Sequence, residues 1–492
     1  MSLAKSTMQT SLRSMLVLSS LLGAAASLLA VACGDDLGST GAGDAGGDVS
    51  PTTLPDADAA DAGVDPDARG AFDPADVPVE CDASPCATQL VAGVDHFCAR
   101  MSDGTVRCWG STSFGATGTM PDGRAQVDSA EAGDGGTTVH VIADLSNVSQ
   151  ISAAGATTCA RLGDGTVKCW GDNRTAQLGL ELEPPIADED PHPHPSIVPL
   201  ESAALRVDVG QGVVCARLTS GKLWCWGKDD QAQLARPGGD AGLDWLNPIR
   251  GPGVAALEPL SLMRVAAGTY TMLGLDGQGQ VWSWGAAAGK LGIISGRVAS
   301  VSPLTTPKPI ASLQKVTSLV ASVWIEPPYD PPPWEPGVPP PPYDPPPPRA
   351  HACALADGEV YCWGRSNAGA LCTGLPDKEQ EPRLAPIEAK TWPQQLAVGD
   401  EITCARMTDG SVYCCGSDTK GRLGTGIVGV LSPLFTKAHA FFGYAVQVAT
   451  SNNAVCALTK AGIVECWGSN QNGELGTKPD AEDHPFPVKI AF

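Results

Sequence analysis

The chain has 492 residues, including 57 Gly, 42 Pro and 17 Cys, and a net charge of −22. Abundant Gly and Pro, with few aromatics apart from 12 Trp, argue against a helical protein and suit short strands joined by turns. The acidity and the lack of any basic cluster exclude a nucleic-acid footprint, and so many cysteines point away from a reducing compartment.

Lys5 and Arg13 precede an uninterrupted apolar-to-small run from Met15 to Ala32. This is the charged start and apolar middle of an export signal. The run ends LLAVAC, which resembles a bacterial lipoprotein signal and implies that Cys33 receives lipid and becomes the mature N-terminus. Ala30 departs from the Leu common three places before such a cysteine. An uncleaved membrane helix is the other reading, since 18 residues are just enough to span. Both readings place the remainder outside the cytoplasm, and residues 1–33 are taken as the signal of a protein anchored in the bacterial envelope.

Residues 34–80 are Asp, Ala, Gly and Pro with almost nothing to bury. They hold twelve acidic side chains and one Arg, half the net charge in under a tenth of the chain. Such a segment cannot offset its ordering entropy and is expected to be a disordered, extended tether. Its stretch DADAADAGVDPD (56–67) lacks the spacing and closing Glu of a calcium loop and reads as solvated linker.

From residue 81 one pattern recurs. CARMSDGTVRCWG (98–110) returns as CARLGDGTVKCWG (159–171), CARLTSGKLWCWG (215–227), LGLDGQGQVWSWG (273–285), CALADGEVYCWG (353–364), CARMTDGSVYCCG (404–416) and CALTKAGIVECWG (456–468). Most copies follow a strand-like run ending in a small residue, and most precede a turn ending Leu-Gly. A period near fifty built from short strands is a propeller or array pattern. Each copy reads as a hairpin, with further strands supplied before and after it. Seven copies of four antiparallel strands predict an all-β, seven-bladed β-propeller over 81–492, closed so that no sheet edge is left bare. The final PVKIAF (487–492) is expected to join the first repeat's blade and fasten the ring.

The seven copies resemble the regulator of chromosome condensation repeat family, whose members form seven-bladed propellers. The resemblance spans about residues 87–492. It rests on the series CAL or CAR, Asp-Gly, V-x-C-W-G and Leu-Gly. Two departures stand out: Cys415 where Trp is expected, and Leu273 with Ser283 where both cysteines are missing. A nuclear relative exchanges nucleotide on a small GTPase and binds chromatin. The export signal, the acidity and the lack of a basic face argue against that role here. An exported relative inhibits β-lactamases, so the ring can serve as a binding surface.

In six copies the cysteines lie ten residues apart, or nine at 353 and 362. A hairpin with its turn midway sets them opposite each other, within disulfide range. The predicted bonds are Cys98–Cys108, Cys159–Cys169, Cys215–Cys225, Cys353–Cys362, Cys404–Cys414 and Cys456–Cys466. Both partners are absent together in the fourth copy, as a bond requires. Zinc would want closer pairs and redox work a Cys-x-x-Cys, so structural disulfides are the reading. Cys81 and Cys86 are close enough to bridge at the propeller's entrance. Cys372 stands in the Gly slot of the fifth Leu-Gly and Cys415 in the Trp slot of the sixth copy, and these two are expected to pair. The Trp residues at 109, 170, 226, 284, 363 and 467 read as wedges between blades.

Between the fourth and fifth copies the gap is long, because residues 327–348 contain fourteen Pro, with PPYDPPP twice. The insertion is expected to leave the loop between the first and second strands of the fifth blade and to project from one face. Polyproline is stiff, so Tyr329, Trp334 and Tyr343 are displayed at low entropy cost and form the candidate binding site. The plainer reading is a tolerated low-complexity insertion.

No Gly-x-Ser-x-Gly, His-Glu-x-x-His or phosphate-binding Gly-Lys loop occurs, so neither catalytic residues nor a cofactor are expected. His192 and His194 in DEDPHPHP (188–195) lie beside acids, but the prolines mark an exposed loop between blades, not a metal site. The expectation is a monomeric, lipid-anchored, non-enzymatic platform for a protein or glycan ligand, with no nucleic acid and no membrane contact beyond the lipid. The other readings are a structural envelope protein and an enzyme using the central channel.

Overall fold

The computed structural model describes residues 77–120, 138–236, 249–257, 260–268, 270–286, 304–323, 350–366, 368–374, 378–429 and 431–492. Seven four-stranded antiparallel sheets follow one another along the chain. The first holds β1 (Ala87–Ala92), β2 (His96–Met101), β3 (Val106–Gly110) and β4 (His140–Val141). The second holds β5 (Val148–Ala154), β6 (Thr157–Leu162), β7 (Val167–Gly171) and β8 (His192–Ile197). The third holds β9 (Ala204–Gly210), β10 (Val213–Leu218), β11 (Leu223–Lys228) and β12 (Ile249–Val254). The fourth holds β13 (Leu262–Ala267), β14 (Thr271–Asp276), β15 (Val281–Gly285) and β16 (Leu304–Pro309). The fifth holds β17 (Val316–Ala321), β18 (His351–Ala356), β19 (Glu359–Arg365) and β20 (Lys378–Leu384). The sixth holds β21 (Pro393–Val398), β22 (Ile402–Met407), β23 (Val412–Ser417) and β24 (Leu431–Lys437). The seventh holds β25 (Ala445–Thr450), β26 (Ala454–Thr459), β27 (Val464–Ser469) and β28 (Asp483–Lys489).

The first strand of each blade touches the first strand of the next, and β25 returns to β1. The chain is a seven-bladed β-propeller. Antiparallel alternation puts the links between first and second, and third and fourth, strands on one face, called upper here. The hairpin turns and blade-to-blade links lie on the lower face.

The repeated motif forms the second and third strands. Cys98 faces Cys108, and the same register holds at Cys159–Cys169, Cys215–Cys225, Cys353–Cys362, Cys404–Cys414 and Cys456–Cys466. Leu273 and Ser283 face each other in the same way in the fourth blade. The Gly closing each C-W-G turns the chain at positive φ. At Gly171 φ is 104°. A Cβ there would stand 2.1 Å from the Ala156 carbonyl oxygen. Gly171→Ala is therefore expected to cost at least about 2 kcal/mol from strain and collision. Chemical denaturation beside the wild type checks this.

Closure differs from the sequence expectation. The last strand, β28, pairs with β27 in the seventh blade and not with the first blade. Each blade is built of four consecutive strands, so the ring closes without a shared sheet. Two other devices join blades seven and one. A continuous apolar cluster includes Phe97, Met101 and Trp109 of the first blade with Val446, Leu458 and Val464 of the seventh, sealed by Leu475 and Ile490. The Phe492 ring lies edge-on to Trp109, with centroids 5.7 Å apart. On the lower face the entering chain bonds to the β26–β27 turn. Glu80 N donates to the Lys460 carbonyl at 2.7 Å and Ala87 N to the Gly462 carbonyl at 3.1 Å. Among the described residues, Val77 and Val79 pack on this cluster, inside the segment expected as tether.

DEDPHPHP is also not the expected loop between blades. Its second half is β8, the outermost strand of the second blade. An outer strand needs only one hydrogen-bonding edge, so it tolerates Pro193 and Pro195.

Candidate functional site

The seams between blades show what the repeat residues do. Trp109, Trp170, Trp226, Trp284, Trp363 and Trp467 are all completely buried. The indole N–H of each described latch crosses to the turn after the third strand of the preceding blade. Trp109 Nε1 donates to the Glu474 carbonyl at 2.9 Å, Trp226 to Gln177 at 2.9 Å, Trp284 to Gln233 at 2.7 Å and Trp467 to Arg422 at 2.8 Å. Trp170 reaches Ala116 at 3.0 Å. Each Trp is therefore both wedge and latch.

The sixth blade replaces that latch. Cys415 takes the Trp position, facing Thr403, and is joined to Cys372 of the fifth blade's turn. The Ala370 carbonyl, in the position the other latches use, accepts from the Thr403 hydroxyl at 2.7 Å. One covalent bond and one hydroxyl thus do the work of an indole.

The cysteines from residue 81 onward are brought together in eight pairs. The six hairpin pairs have Cα separations of 4.0–4.2 Å. Cys81 and Cys86 are 5.9 Å apart between Cα atoms, and Cys372 and Cys415 5.6 Å.

His96 and His351, at matching positions in blades one and five, carry a second latch. Each Nε2 lies 2.8 Å from the hydroxyl of the next blade, Thr158 or Thr403. Both rings are buried, and burial pulls each pKa down to about 4. The unfolded chain protonates near the ordinary imidazole value of 6.5, so it binds protons first as the pH falls. Stability from these rings is full above about pH 6.5 and is lost as pH falls toward 4. Asp95 works in the opposite sense. Burial, then nearby Glu474, raises its pKa to about 6. Its ionisation costs stability as pH rises from 3.8 to about 6. Replacing both histidines by Asn is expected to flatten the loss between pH 6.5 and 4, read from denaturation midpoints across that range.

Around the axis, the first strand of every blade has a bulge after its first residue. The residue following it is Gln89, Gln150, Arg206, Arg264, Ser318, Gln395 or Gln447 in turn. Three Gln side chains clamp the next blade's backbone at both ends of the amide. Gln89 donates to the Ile151 carbonyl and accepts from Ile151 N, both at 2.9 Å. Gln150 does the same with Val207 and Gln395 with Val448. Gln447 accepts from Leu90 N at 2.8 Å. Where Arg206 replaces Gln, Asp208 accepts from Val265 N instead, at 3.0 Å. Sequence reasoning missed this ring, although a Gln before four of the LVAG-like runs was its visible signal.

The strands enclose a cavity of about 630 Å³. Among its described lining residues Asp208 is the one carboxylate, and it is held by Arg206 and Val265. Converging carboxylates of the kind a channel enzyme would need are not found there among the described residues. Neither is any cluster of three or more His, Cys, Asp or Glu able to hold a metal. His192 is 2.7 Å from Asp188, which also accepts from Asn173, and His194 is exposed.

Tyr329, Trp334 and Tyr343 lie outside the described residues, as do Cys33 and residues 1–76. The Pro-rich segment's roots are described: it leaves after β17 and returns at β18, so it is an upper-face link between first and second strands. On the outer strands of blades six and seven and the loop before one of them, apolar side chains stand exposed. Ile427 is 67% and Phe486 62% accessible, with Val428, Leu431 and Leu434 also exposed. Phe486 packs beside Gly426, where a Cβ would be 3.2 Å from its ring.

The regulator of chromosome condensation (RCC1) repeat matches residues 87–116, 148–177, 394–422 and 357–406. Three of these stretches run from an inner strand through the disulfide hairpin into the turn before Leu. The matched stretches are similar to regulator of chromosome condensation repeats. Similar proteins include the ultraviolet-B receptor UVR8 of Arabidopsis thaliana, 37% identical over 148 residues, 29% of this chain and 32% of that one. The probable E3 ubiquitin-protein ligase HERC6 of Homo sapiens is 27% identical over 64% of this chain and 27% of its own. The chain therefore spans about a third or less of these relatives. Among solved structures, yeast RCC1 (Prp20) bound to Kap60 superposes with a TM-score of 0.60 at 18% identity, covering 85% of this chain and 88% of that one. Human WBSCR16 gives 0.56 at 18% identity, over 72% and 85%. The structural similarities show the propeller fold.

Proposed function

We propose that this protein is an exported, lipid-anchored propeller that binds a protein partner at the bacterial cell surface through the upper face of its ring. Export is supported by the pairing of the cysteines from residue 81 onward, which suits an oxidising compartment. The observation that carries partner binding is the exposed apolar rim of blades six and seven. Soluble monomers rarely leave such side chains grouped in the open without a binding role. The Pro-rich segment is rooted on the same face and adds Tyr329, Trp334 and Tyr343 to what that face can present. By analogy, the yeast propeller is described bound to Kap60 and as binding Gsp1p and histones. Fold alone does not transfer those partners. In this reading a lipid on Cys33 and the acidic segment between it and Val77 tether the ring to the membrane.

The test is in-cell cross-linking with the tagged mature protein beside two variants: one lacking residues 327–348, one carrying Ile427→Ser, Val428→Ser and Phe486→Ser. A partner captured by the wild type and lost or reduced at least fivefold in either variant supports the reading. Identical capture in all three overturns it. Labelling with a lipid analogue, lost in Cys33→Ala, tests the anchor separately.

A further inference from the structure

Among the described large apolar side chains none is as exposed as Phe442, at 93%. It stands on the lower-face link between β24 and β25, which joins the sixth blade to the seventh. Phe441, one place earlier, fills the core and packs on Trp467, with ring centroids 5.7 Å apart. The link is pinned on both sides of Phe442. Phe441 N donates to the Ala438 carbonyl at 3.1 Å, and Ala445 N to the Gly410 carbonyl at 2.9 Å. With the core position taken and the backbone held, the Phe442 ring is kept in the open.

Two more aromatics share this surface. Tyr444 is exposed, and its hydroxyl donates to the Thr408 carbonyl at 2.8 Å. Thr408 N donates in turn to the carbonyl of half-buried Trp392, at 2.8 Å, on the link into the sixth blade. Phe, Tyr and Trp grouped in this way suit a boundary between water and lipid.

The chain enters the ring at the same place. Lys460 N donates to the Tyr444 carbonyl at 2.8 Å, and the Lys460 carbonyl accepts from Glu80 N at 2.7 Å. The Lys460 ammonium pairs with the Glu80 carboxylate at 3.1 Å, so its charge is met within the protein. Val77, the first described residue, follows Cys33 by 44 positions. A lipid on Cys33 brings a bilayer within reach of this face and makes any second contact with it effectively intramolecular. So small an apolar surface cannot hold a free protein on a membrane, but it can orient a tethered one.

We infer that the lower-face surface formed by Phe442 and Tyr444 docks on the lipid bilayer, with the Phe442 ring inserted at headgroup level and the upper face turned outward. The inference rests on the lipid-anchored reading above and adds a contact made by the propeller itself to the lipid link expected from the sequence.

Vesicles test it without depending on acylation. The mature chain, with Cys33→Ser and an N-terminal polyhistidine tag in place of the lipid, is held on phosphatidylcholine vesicles that carry a nickel-chelating lipid. The fluorophore NBD is attached at His439→Cys, exposed on the same link, or at Ser113→Cys, exposed on the upper face. Expected is a blue-shifted emission at 439 and at least twofold stronger quenching there than at 113 by nitroxide-labelled lipids. Phe442→Ser should remove that difference and Phe442→Trp should keep it. Thermal melts of both variants should match the wild type, since the ring is in solvent. Equal quenching at the two positions, or a difference that survives Phe442→Ser, overturns the inference. Because the tag replaces the lipid, these outcomes stand apart from the Cys33→Ala labelling test, and either reading can fail alone.

Discussion

Trp170→Ala is expected to lower stability by about 3–5 kcal/mol, the usual cost of emptying a buried aromatic site. Trp170 is fully buried in the seam between blades one and two, among Ile142, Ile151 and Ala160. Truncation leaves a cavity lined by two sheets that their own ladders and disulfides keep from collapsing. It also strips the Ala116 carbonyl of its donor. Trp170→Phe separates the two effects. It keeps much of the volume while losing the N–H and part of the ring, so its deficit should be smaller, about 1–3 kcal/mol. Urea denaturation under oxidising conditions measures both. Equal loss in the two variants would mean that the latch dominates and the wedge contributes little.

Breaking Cys372–Cys415 should cost more than breaking any hairpin disulfide. Its partners are 43 residues apart in sequence, against nine or ten in the hairpins. Chain-entropy reasoning gives about 4 kcal/mol for the longer loop and about 2.5–3 for the shorter ones. The hairpin bonds also reinforce strands already paired, whereas Cys372–Cys415 joins two blades where the indole latch is missing. Cys372→Ser with Cys415→Ser should therefore lower the denaturation midpoint further than Cys404→Ser with Cys414→Ser. Cys372→Gly with Cys415→Trp should regain part of the loss. Gly suits the positive φ of 56° at that position, and an indole can reach the Ala370 carbonyl. A deficit no larger than in the hairpin variant would show that the seam is held by packing alone.

These two predictions draw on different kinds of legibility. The hairpin registers could be read directly because they are local. Ten residues around a short turn leave two cysteines facing, whatever surrounds them. The wedge role of Trp was legible because one large residue recurred in one slot. Its hydrogen bond was not, since the acceptor lies 45–54 residues upstream in four of the described cases and 365 residues downstream for Trp109. The Gln clamps were missed for the same reason. Gln89 reads as one polar residue in a strand until the ring places Ile151 beside it. The C-terminal strand misled because closing a propeller with a shared blade is one solution among several. Here β28 completes its own sheet, and the side chains of Ile490 and Phe492 reach across to the first blade instead.

By itself, the amino-acid sequence determined the number of blades, the strands within each hairpin and the cysteines that face one another. All of these follow from alternation, turn residues and spacing along one local stretch of chain. Tertiary structure alone decided how the ring closes, which carbonyl each indole latches, how Thr403 stands in at the altered sixth seam, and which backbone each Gln clamps. Those relations join residues some thirty to more than three hundred positions apart. They exist only once seven sheets are wrapped around a common axis, because that geometry, and no local preference, sets which side chains meet.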